Sequence, residues 1–120
     1  TGANAIIGHA SEVKSSIFLN DAKAPHFAYV GDSILGNRVN LGAGTKISNL
    51  KITNDEIVLR FGDDDKVKTG LRKMGAIIGD ETETGCNSVL NPGTLLGKRC
   101  LVYAGMSVRN NYYKPRSTIR

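Results

Sequence analysis

A six-residue period is the feature of this chain that most constrains its fold. From residue 78 onward, aliphatic or small residues recur at every sixth position: Ile78, Thr84, Leu90, Leu96, Val102 and Val108. An amphipathic helix repeats its apolar residues every 3.6 positions and a strand every second position, so neither explains this spacing. The period predicts stacked coils of short parallel strands, in which each face contributes one inward side chain and each corner takes a small residue.

The same cadence occurs earlier, in the strings LGNRVN, LGAGTK and ISNLK, and it is looser at Ile7, Val13 and Leu19. Val30 and Leu35 are only five residues apart, which predicts a shift of coil register in that region. An antiparallel β-sandwich is the alternative architecture. Its turns come about every 8 to 12 residues and vary in spacing, so the six-residue period favours the coil.

Composition agrees with a coil whose core is built from small aliphatic side chains. The 120 residues include 14 glycines and no tryptophan, and aromatic residues make up only 6%. A chain of this length is expected to form one domain, residues 1–120. Its opening, TGANAIIGHA, resembles the middle of a repeat, so we expect a fragment of a longer protein.

The net charge of +5 admits nucleic acid, an acidic membrane or a phosphorylated small molecule as a partner. No basic run interleaved with aromatic residues is present, and no apolar run is long enough to span a bilayer, so neither nucleic acid nor membrane binding is expected. Cys86 and Cys100 lack the spacing of metal ligands, so no metal site is expected. We expect both to be reduced thiols in a cytoplasmic protein.

The period breaks once, between about residues 50 and 76. This stretch contains an alternating apolar segment, an acidic triplet at 63–65 and a group of cations that includes Lys66, Lys68 and Lys73. It predicts a hairpin-like arm with a charged tip, inserted into a coil that resumes at Ile78. Long excursions of this kind are usually functional or disordered.

Two stretches of the chain, KAPHFAYVGDSILGNRVNLGAGTKISNL and TGLRKMGAIIGDETETGCNSVLNPGTLLG, resemble the C-terminal domain of bifunctional sugar-1-phosphate nucleotidyltransferases. The resemblance implies an all-β fold, a left-handed parallel β-helix of hexapeptide repeats with one inserted arm. It also implies a homotrimer with its active site between subunits. The implied activity is transfer of an acetyl group from acetyl-CoA to the amine of glucosamine 1-phosphate or a related amino-sugar 1-phosphate.

His26 corresponds to the general base of that family, in the pattern KA-x-H-x-x-Y-x-GD. An imidazole, with an ordinary pKa of about 6.5, can accept the proton that an attacking amine loses. Asn49 corresponds to an asparagine that the family places across the subunit boundary, near the acceptor amine. His9, the second histidine, has no counterpart and is expected to be an ordinary surface residue.

The resemblance also implies residues that bind the acceptor sugar phosphate. Lys14 and Tyr29 match a lysine and a tyrosine that contact the phosphate, and Asn40 matches a polar residue of the same groove. For Tyr29 the alternative is packing on a neighbour, and for Asn40 and Asn49 it is an asparagine ladder within the coil. Of the arm lysines, Lys73 is the first candidate for substrate contact because it is closest to the resumed coil.

Three positions match the family's contacts with acetyl-CoA, namely Ala43, Cys86 and Ala104. The small side chain of Ala43 would leave its backbone N–H open to the thioester. Cys86 stands where relatives often carry serine near the pantetheine. The tail, residues 109–120, either binds the 3′-phosphate of coenzyme A or is frayed.

Two other functions fit the same sequence. A β-helix without catalytic activity could trimerise or regulate a sugar-1-phosphate nucleotidyltransferase. An acyltransferase acting on a different hydroxyl or amine acceptor would share the fold and the histidine. The joint presence of His26, Asn49 and Lys14 favours the amino-sugar acetyltransferase.

Overall fold

The computed structural model describes residues 1–120 as a three-sided prism of stacked coils, built almost entirely from strands of two to four residues. The first two coils contain β1 (Ile6–His9), β2 (Glu12–Lys14), β3 (Ile17–Phe18), β4 (Lys23–His26), β5 (Tyr29–Gly31) and β6 (Ile34–Leu35). The third contains β7 (Asn40–Leu41) and β8 (Lys46–Ile47), then an arm with β9 (Val58–Phe61) and β10 (Asp65–Lys68), and finally β11 (Ile77–Ile78). The remaining strands are β12 (Glu83–Thr84), β13 (Val89–Leu90), β14 (Leu95–Leu96), β15 (Leu101–Val102), β16 (Ser107–Val108), β17 (Tyr112–Tyr113) and β18 (Thr118–Ile119).

Each face of the prism is one parallel sheet. Sheet A has the order β1-β4-β7-β12-β15-β18, sheet B the order β2-β5-β8-β13-β16, and sheet C the order β3-β6-β11-β14-β17. The strands form five complete coils and the first strand of a sixth, so the tail is not frayed. The all-β parallel β-helix predicted from the period is therefore confirmed. No segment of this fold is a helix capable of spanning a bilayer.

The inward residue of each face forms the core, as the period predicts. Leu41, Ile47, Ile78, Leu90 and Val108 all lie at 1% exposure or less. Thr84 is a polar exception, because it occupies the inward position of sheet A in the coil after that of Leu41. Its hydroxyl lies 2.8 Å from that of Thr45 and accepts the N–H of Gly42, so the buried oxygen is satisfied and supports the neighbouring corner.

Two details of the predicted register are wrong. Phe18, at 1% exposure, is the inward residue of β3, whereas Leu19 is 39% exposed. Val13 and Phe18 are therefore also five residues apart, like Val30 and Leu35, and Val13 pairs directly with Val30. The five-residue spacing occurs at the same place in both coils, so consecutive coils remain aligned and the register does not shift.

The arm is a hairpin inserted at the corner between sheets B and C, as predicted. β9 and β10 pair antiparallel, with Lys66 opposite Arg60 and Lys68 opposite Val58. The hairpin packs against the later coils. The ring centroids of Phe61 and Tyr112 are 5.9 Å apart, and Asn110 Nδ2 donates to Val58 O at 2.9 Å. The coil then resumes where Ile77 pairs with Ile34.

Candidate active site

His26 lies at the corner between sheets A and B, in one row with the three predicted acetyl-CoA positions. Three backbone hydrogen bonds define this row: Gly44 N–H donates to His26 O at 3.0 Å, Asn87 N–H donates to Ala43 O at 2.9 Å, and Gly105 N–H donates to Cys86 O at 2.9 Å. Ala43, Cys86 and Ala104 come directly before the three donors. Each of them therefore lies at the same corner position as the acceptor in the preceding coil. This row, residues His26, Ala43, Cys86 and Ala104, is called the open corner below.

The backbone N–H groups of Ala43, Cys86 and Ala104 donate no hydrogen bond within the chain. All three residues are at least partly exposed, and their small side chains leave the N–H groups accessible. The corner provides a column of free donors, which is the arrangement needed to bind carbonyl oxygens of a ligand or a developing oxyanion.

The corner between sheets C and A has the same turn geometry but no free donors in its first three coils. There, Ala3 N–H donates to Asn20 Oδ1 at 2.8 Å, Asn20 N–H donates to Asn37 Oδ1 at 3.0 Å, and Asn37 N–H donates to Asp80 Oδ1 at 2.8 Å. This corner, called the closed corner below, thus has its first three N–H groups satisfied by the ladder, whereas those of Asp80 and Lys98 in the same row donate no hydrogen bond within the chain. The chain therefore carries the asparagine ladder at Asn20 and Asn37 and not at Asn40 or Asn49.

His26 itself is exposed, and its imidazole makes no hydrogen bond within the chain. His9 precedes it in the same row, since the two residues are paired in the ladder between β1 and β4. The ring of His9 contacts that of Phe27 edge-on, with centroids 6.3 Å apart. The placement of His9 on the surface agrees with its predicted role.

A second group of predicted residues meets at the corner between sheets B and C. Asn49 Nδ2 donates to Asp32 Oδ2 at 2.5 Å, and Lys14 Nζ lies 3.3 and 3.4 Å from the two carboxylate oxygens of Asp32. These three residues, called the Asp32 cluster, come from three consecutive coils. Asp32 was missed as a site residue, although the recurrence of polar residues at 14, 32 and 49 was the available signal.

Tyr29 lies beside the Asp32 cluster because Gly31 leaves room for it. A Cβ on Gly31 would lie 2.5 Å from Asn49 Nδ2 and 2.8 Å from Tyr29 Oη, so both polar groups lie directly over the glycine. The hydroxyl of Tyr29 makes no hydrogen bond within the chain. An amide, a phenol and an ammonium group therefore converge on one exposed edge, which suits a phosphate or sugar ligand.

Replacing Gly31 by alanine is expected to weaken the binding of a sugar phosphate at this edge about tenfold, because the added methyl displaces the Tyr29 and Asn49 side chains. Calorimetric titration with glucosamine 1-phosphate would measure this change. The displaced atoms are ends of side chains, so the thermal unfolding midpoint should change little. A variant with unchanged affinity and a lowered unfolding midpoint would show that Gly31 serves packing alone.

Lys73 and Asn40 lie in different places. Lys73 forms an isolated antiparallel bridge with Leu50, and the next residue, Met74, donates its N–H to Asn49 O at 3.0 Å. Lys73 is therefore at the base of the arm beside Asn49, whereas Lys66 and Lys68 lie out on the hairpin. Asn40 lines a shallow cleft of about 350 Å³ on the outer face of sheet A.

The two groups occupy opposite edges of sheet B. His26 ends β4 before one corner, and Asp32 follows β5 at the next corner, so the three residues of β5 separate them by roughly 10 Å. His26 and Asn49 of one chain therefore face different edges of the prism.

A prism of parallel coils with an open row of corner amides defines a hexapeptide-repeat β-helix. The fold also occurs in serine acetyltransferase isoform 3 of Entamoeba histolytica, with a TM-score of 0.69 over 92% of this chain and 34% of that chain. The sequence identity is 10%, so this similarity concerns the fold alone. No protein-family model matches the chain.

Comparison by sequence identifies the family of this chain more specifically than the fold does. The chain is 38% identical over 105 residues to the bifunctional sugar-1-phosphate nucleotidylyltransferase/acetyltransferase of Sulfurisphaera tokodaii, covering 88% of this chain and 26% of that protein. It is 36% identical over 111 residues to the bifunctional protein GlmU of Methanococcus aeolicus, covering 92% of this chain and 26% of that protein. The chain is thus homologous to bifunctional sugar-1-phosphate nucleotidyltransferases over about a quarter of their length, and the predicted resemblance is confirmed.

Proposed function

We propose that this chain is an N-acetyltransferase domain that transfers an acetyl group from acetyl-CoA to the amine of glucosamine 1-phosphate or a related amino-sugar 1-phosphate. The observation that carries the proposal is the open corner, which places an unpaired histidine in one row with three free backbone donors. Homology to bifunctional nucleotidyltransferase/acetyltransferases supports the same activity. By the same homology, we propose that the protein acts in the cytoplasm.

In the proposed reaction, the acceptor amine attacks the carbonyl carbon of the thioester. The imidazole of His26 accepts the proton that the amine loses, and the N–H of Ala43 stabilises the oxyanion that forms. The C–S bond then breaks, the coenzyme A thiolate leaves, and the proton passes from His26 to the sulfur. Cys86 and Ala104 extend the row of donors along which the pantetheine would lie.

We propose that the acceptor phosphate binds at the Asp32 cluster, where Lys14 supplies charge and Tyr29 a hydroxyl donor. Asn49 contacts the amine, and Lys73, at the base of the arm beside Asn49, is the arm lysine that would contact the substrate. Asn40 is farther from this group and would contact a different part of the groove. Since His26 and Asn49 of one chain face different edges, the complete site requires a second subunit.

The outer face of sheet C supports a homotrimer. Its outward residues are paired in register and form an apolar stripe: Ile17, Ile34, Ile77, Leu95 and Tyr112. The corresponding positions of sheet B are Glu12, Tyr29, Lys46, Val89 and Ser107. Ile34 and Ile77 are each 38% exposed, so this face exposes apolar surface that contact with another subunit would cover.

The activity is tested by incubating the protein with acetyl-CoA and glucosamine 1-phosphate. We expect release of free coenzyme A thiol together with an N-acetylated sugar phosphate, detected by mass spectrometry. Glucose 1-phosphate lacks the amine and should give neither. Absence of thiol release with every amino-sugar phosphate would overturn the proposal and favour an assembly or regulatory role.

The contact with acetyl-CoA is tested by replacing Ala104 with leucine. The larger side chain would cover the free N–H groups of the open corner and should raise the KM for acetyl-CoA about tenfold or more, while the KM for the acceptor is unchanged. Steady-state kinetics with each substrate varied separately would distinguish the two.

Ala3→Leu is a matched control for Ala104→Leu. Ala3 is exposed at the equivalent position of the closed corner, where its N–H already bonds to Asn20. An equal rise in the KM for acetyl-CoA in both variants would contradict binding at the open corner.

A further inference from the structure

The Asp32 cluster contains a carboxylate that neither the predicted site nor the proposed reaction uses. Asp32 is half-buried, its N–H donates to Lys14 O at 2.9 Å, and its C=O accepts the N–H of Gly75 at 2.8 Å. Its side chain contacts Lys14 and Asn49 as described above. Backbone and side chain together fix Asp32 between the first coil and the third, at the point where the arm rejoins the prism.

The chemistry of this contact determines the orientation of the Asn49 amide. An ionised carboxylate can only accept hydrogen bonds, so the group of Asn49 that faces Asp32 must be its NH₂. The carbonyl oxygen, Oδ1, therefore points away from Asp32, and it has no hydrogen-bond partner within the chain. Asn49 consequently has its carbonyl oxygen, a hydrogen-bond acceptor, available to whatever binds at this edge.

We propose that Asp32 is a positioning residue that orients the Asn49 carbonyl oxygen as a hydrogen-bond acceptor and thereby favours a substrate with a donor group, here the amine, at that point. An amine can donate to Oδ1 and keep its lone pair free for attack. The inference rests on the proposed function, which supplies the amine-bearing sugar phosphate as the ligand.

Lys14 completes the arrangement. Its ammonium group contacts both oxygens of Asp32 at distances longer than an ideal charged hydrogen bond, and its side chain is 44% exposed. The ammonium can therefore bind an incoming phosphate oxygen while it remains near Asp32. The carboxylate thus orients two groups from different coils, one towards the phosphate and one towards the amine.

Asp32→Asn is a suitable test because it removes the charge without changing the shape. The backbone of Asp32 has a φ of 47°, in the left-handed region, and asparagine tolerates this region as well as aspartate does. In the variant, the side chain at position 32 can present either an oxygen or an NH₂ group. The orientation of the Asn49 amide is then no longer determined.

Asp21→Asn is the matched control. Asp21 is another half-buried aspartate of the same coil with a φ of 61°, and its carboxylate forms no hydrogen bond or ion pair within the chain. It lies at the closed corner. The same change of charge and the same backbone region are therefore tested away from the Asp32 cluster.

Calorimetric titration with glucosamine 1-phosphate and 2-deoxyglucose 1-phosphate, which has no donor where the first sugar has its amine, measures the effect directly in the absence of acetyl-CoA. We expect the wild-type protein to prefer the amino sugar, and Asp32→Asn to reduce that preference about tenfold, the scale of one hydrogen bond. Asp21→Asn should bind both sugars like the wild type. In an Asn49→Ala background, Asp32→Asn should leave the preference unchanged, because Asp32 acts through Asn49.

The outcomes separate this inference from the proposed function. A wild-type protein that binds neither sugar phosphate would contradict the proposed function itself. A wild-type protein that binds and acetylates glucosamine 1-phosphate, with Asp32→Asn indistinguishable from Asp21→Asn, would overturn only the role of Asp32. An equal loss of preference in the presence and absence of Asn49 would likewise show that Asp32 does not act through Asn49.

Discussion

Replacing His26 by alanine is expected to lower the turnover of acetyl transfer by about 10²-fold or more, the usual contribution of a positioned general base. The side chain is exposed and forms no hydrogen bond within the chain, so its removal should not disturb the fold. The KM for acetyl-CoA should change little, because the backbone donors of the open corner remain. A thiol-release assay at saturating substrates measures the turnover directly.

His9→Ala is the natural control for His26→Ala. The two histidines are paired in the ladder between β1 and β4, and both are exposed. His9→Ala should have a turnover close to that of the wild type, since His9 precedes the coils that carry the free donors. Equal losses in the two variants, or no loss with His26→Ala, would exclude His26 as the base.

Introducing lysine at both Ile34 and Ile77 is expected to dissociate the proposed homotrimer. Burying two ammonium groups without partners should cost at least about 3 kcal/mol per subunit, which corresponds to more than about 10²-fold in the association constant. Analytical ultracentrifugation would detect the shift towards monomers. Turnover should fall with the trimer fraction, because the complete site requires two subunits.

Leu101→Lys provides the comparison for this double variant. Leu101 is an outward aliphatic residue of sheet A and is 45% exposed, similar to the two isoleucines of sheet C. It should leave the assembly intact. A wild-type protein that sediments as a monomer, or a double variant that remains trimeric, would contradict a subunit contact through the apolar stripe.

The period predicted the prism because inward packing is a local property of each face. Every sixth residue from Ile78 to Val108 lies in the core, and the arm leaves and rejoins the coil close to the predicted positions. The identity of the inward residue of β3 was not predictable in the same way. Phe18 and Leu19 are both apolar, and only the pairing of Phe18 with Leu35 decides between them.

The candidate site illustrates the same limit. The resemblance proposed His26 and Ala43, but their alignment in one row depends on the stacking of coils 17 residues apart in sequence. The Asp32 cluster depends on three coils, and its central carboxylate contacts residues 17 and 18 positions away. Such contacts depend on the offset in sequence between consecutive coils. The five-residue spacings set this offset, and the six-residue period alone does not reveal it.

The free donors of the open corner could not be predicted from composition either. Both corners carry a turn residue followed by one with positive φ, as at Asn37–Arg38 and Cys86–Asn87. They differ because the side chains of Asn20, Asn37 and Asp80 reach back to the preceding coil, whereas alanine and cysteine cannot do so. A corner amide is therefore free wherever the next coil lacks a side chain that reaches back to it.

The proposed active site combines the open corner of one subunit with the Asp32 cluster of another. Mixed trimers test this arrangement most directly. His26→Ala and Asn49→Ala chains would be co-expressed with different tags, and trimers carrying both tags would be isolated and assayed for acetylation of glucosamine 1-phosphate. Each variant alone should be nearly inactive, and the mixed trimers should regain activity at sites that combine an intact His26 with an intact Asn49 from different chains. Mixed trimers no more active than the two parent variants would contradict a site shared between subunits.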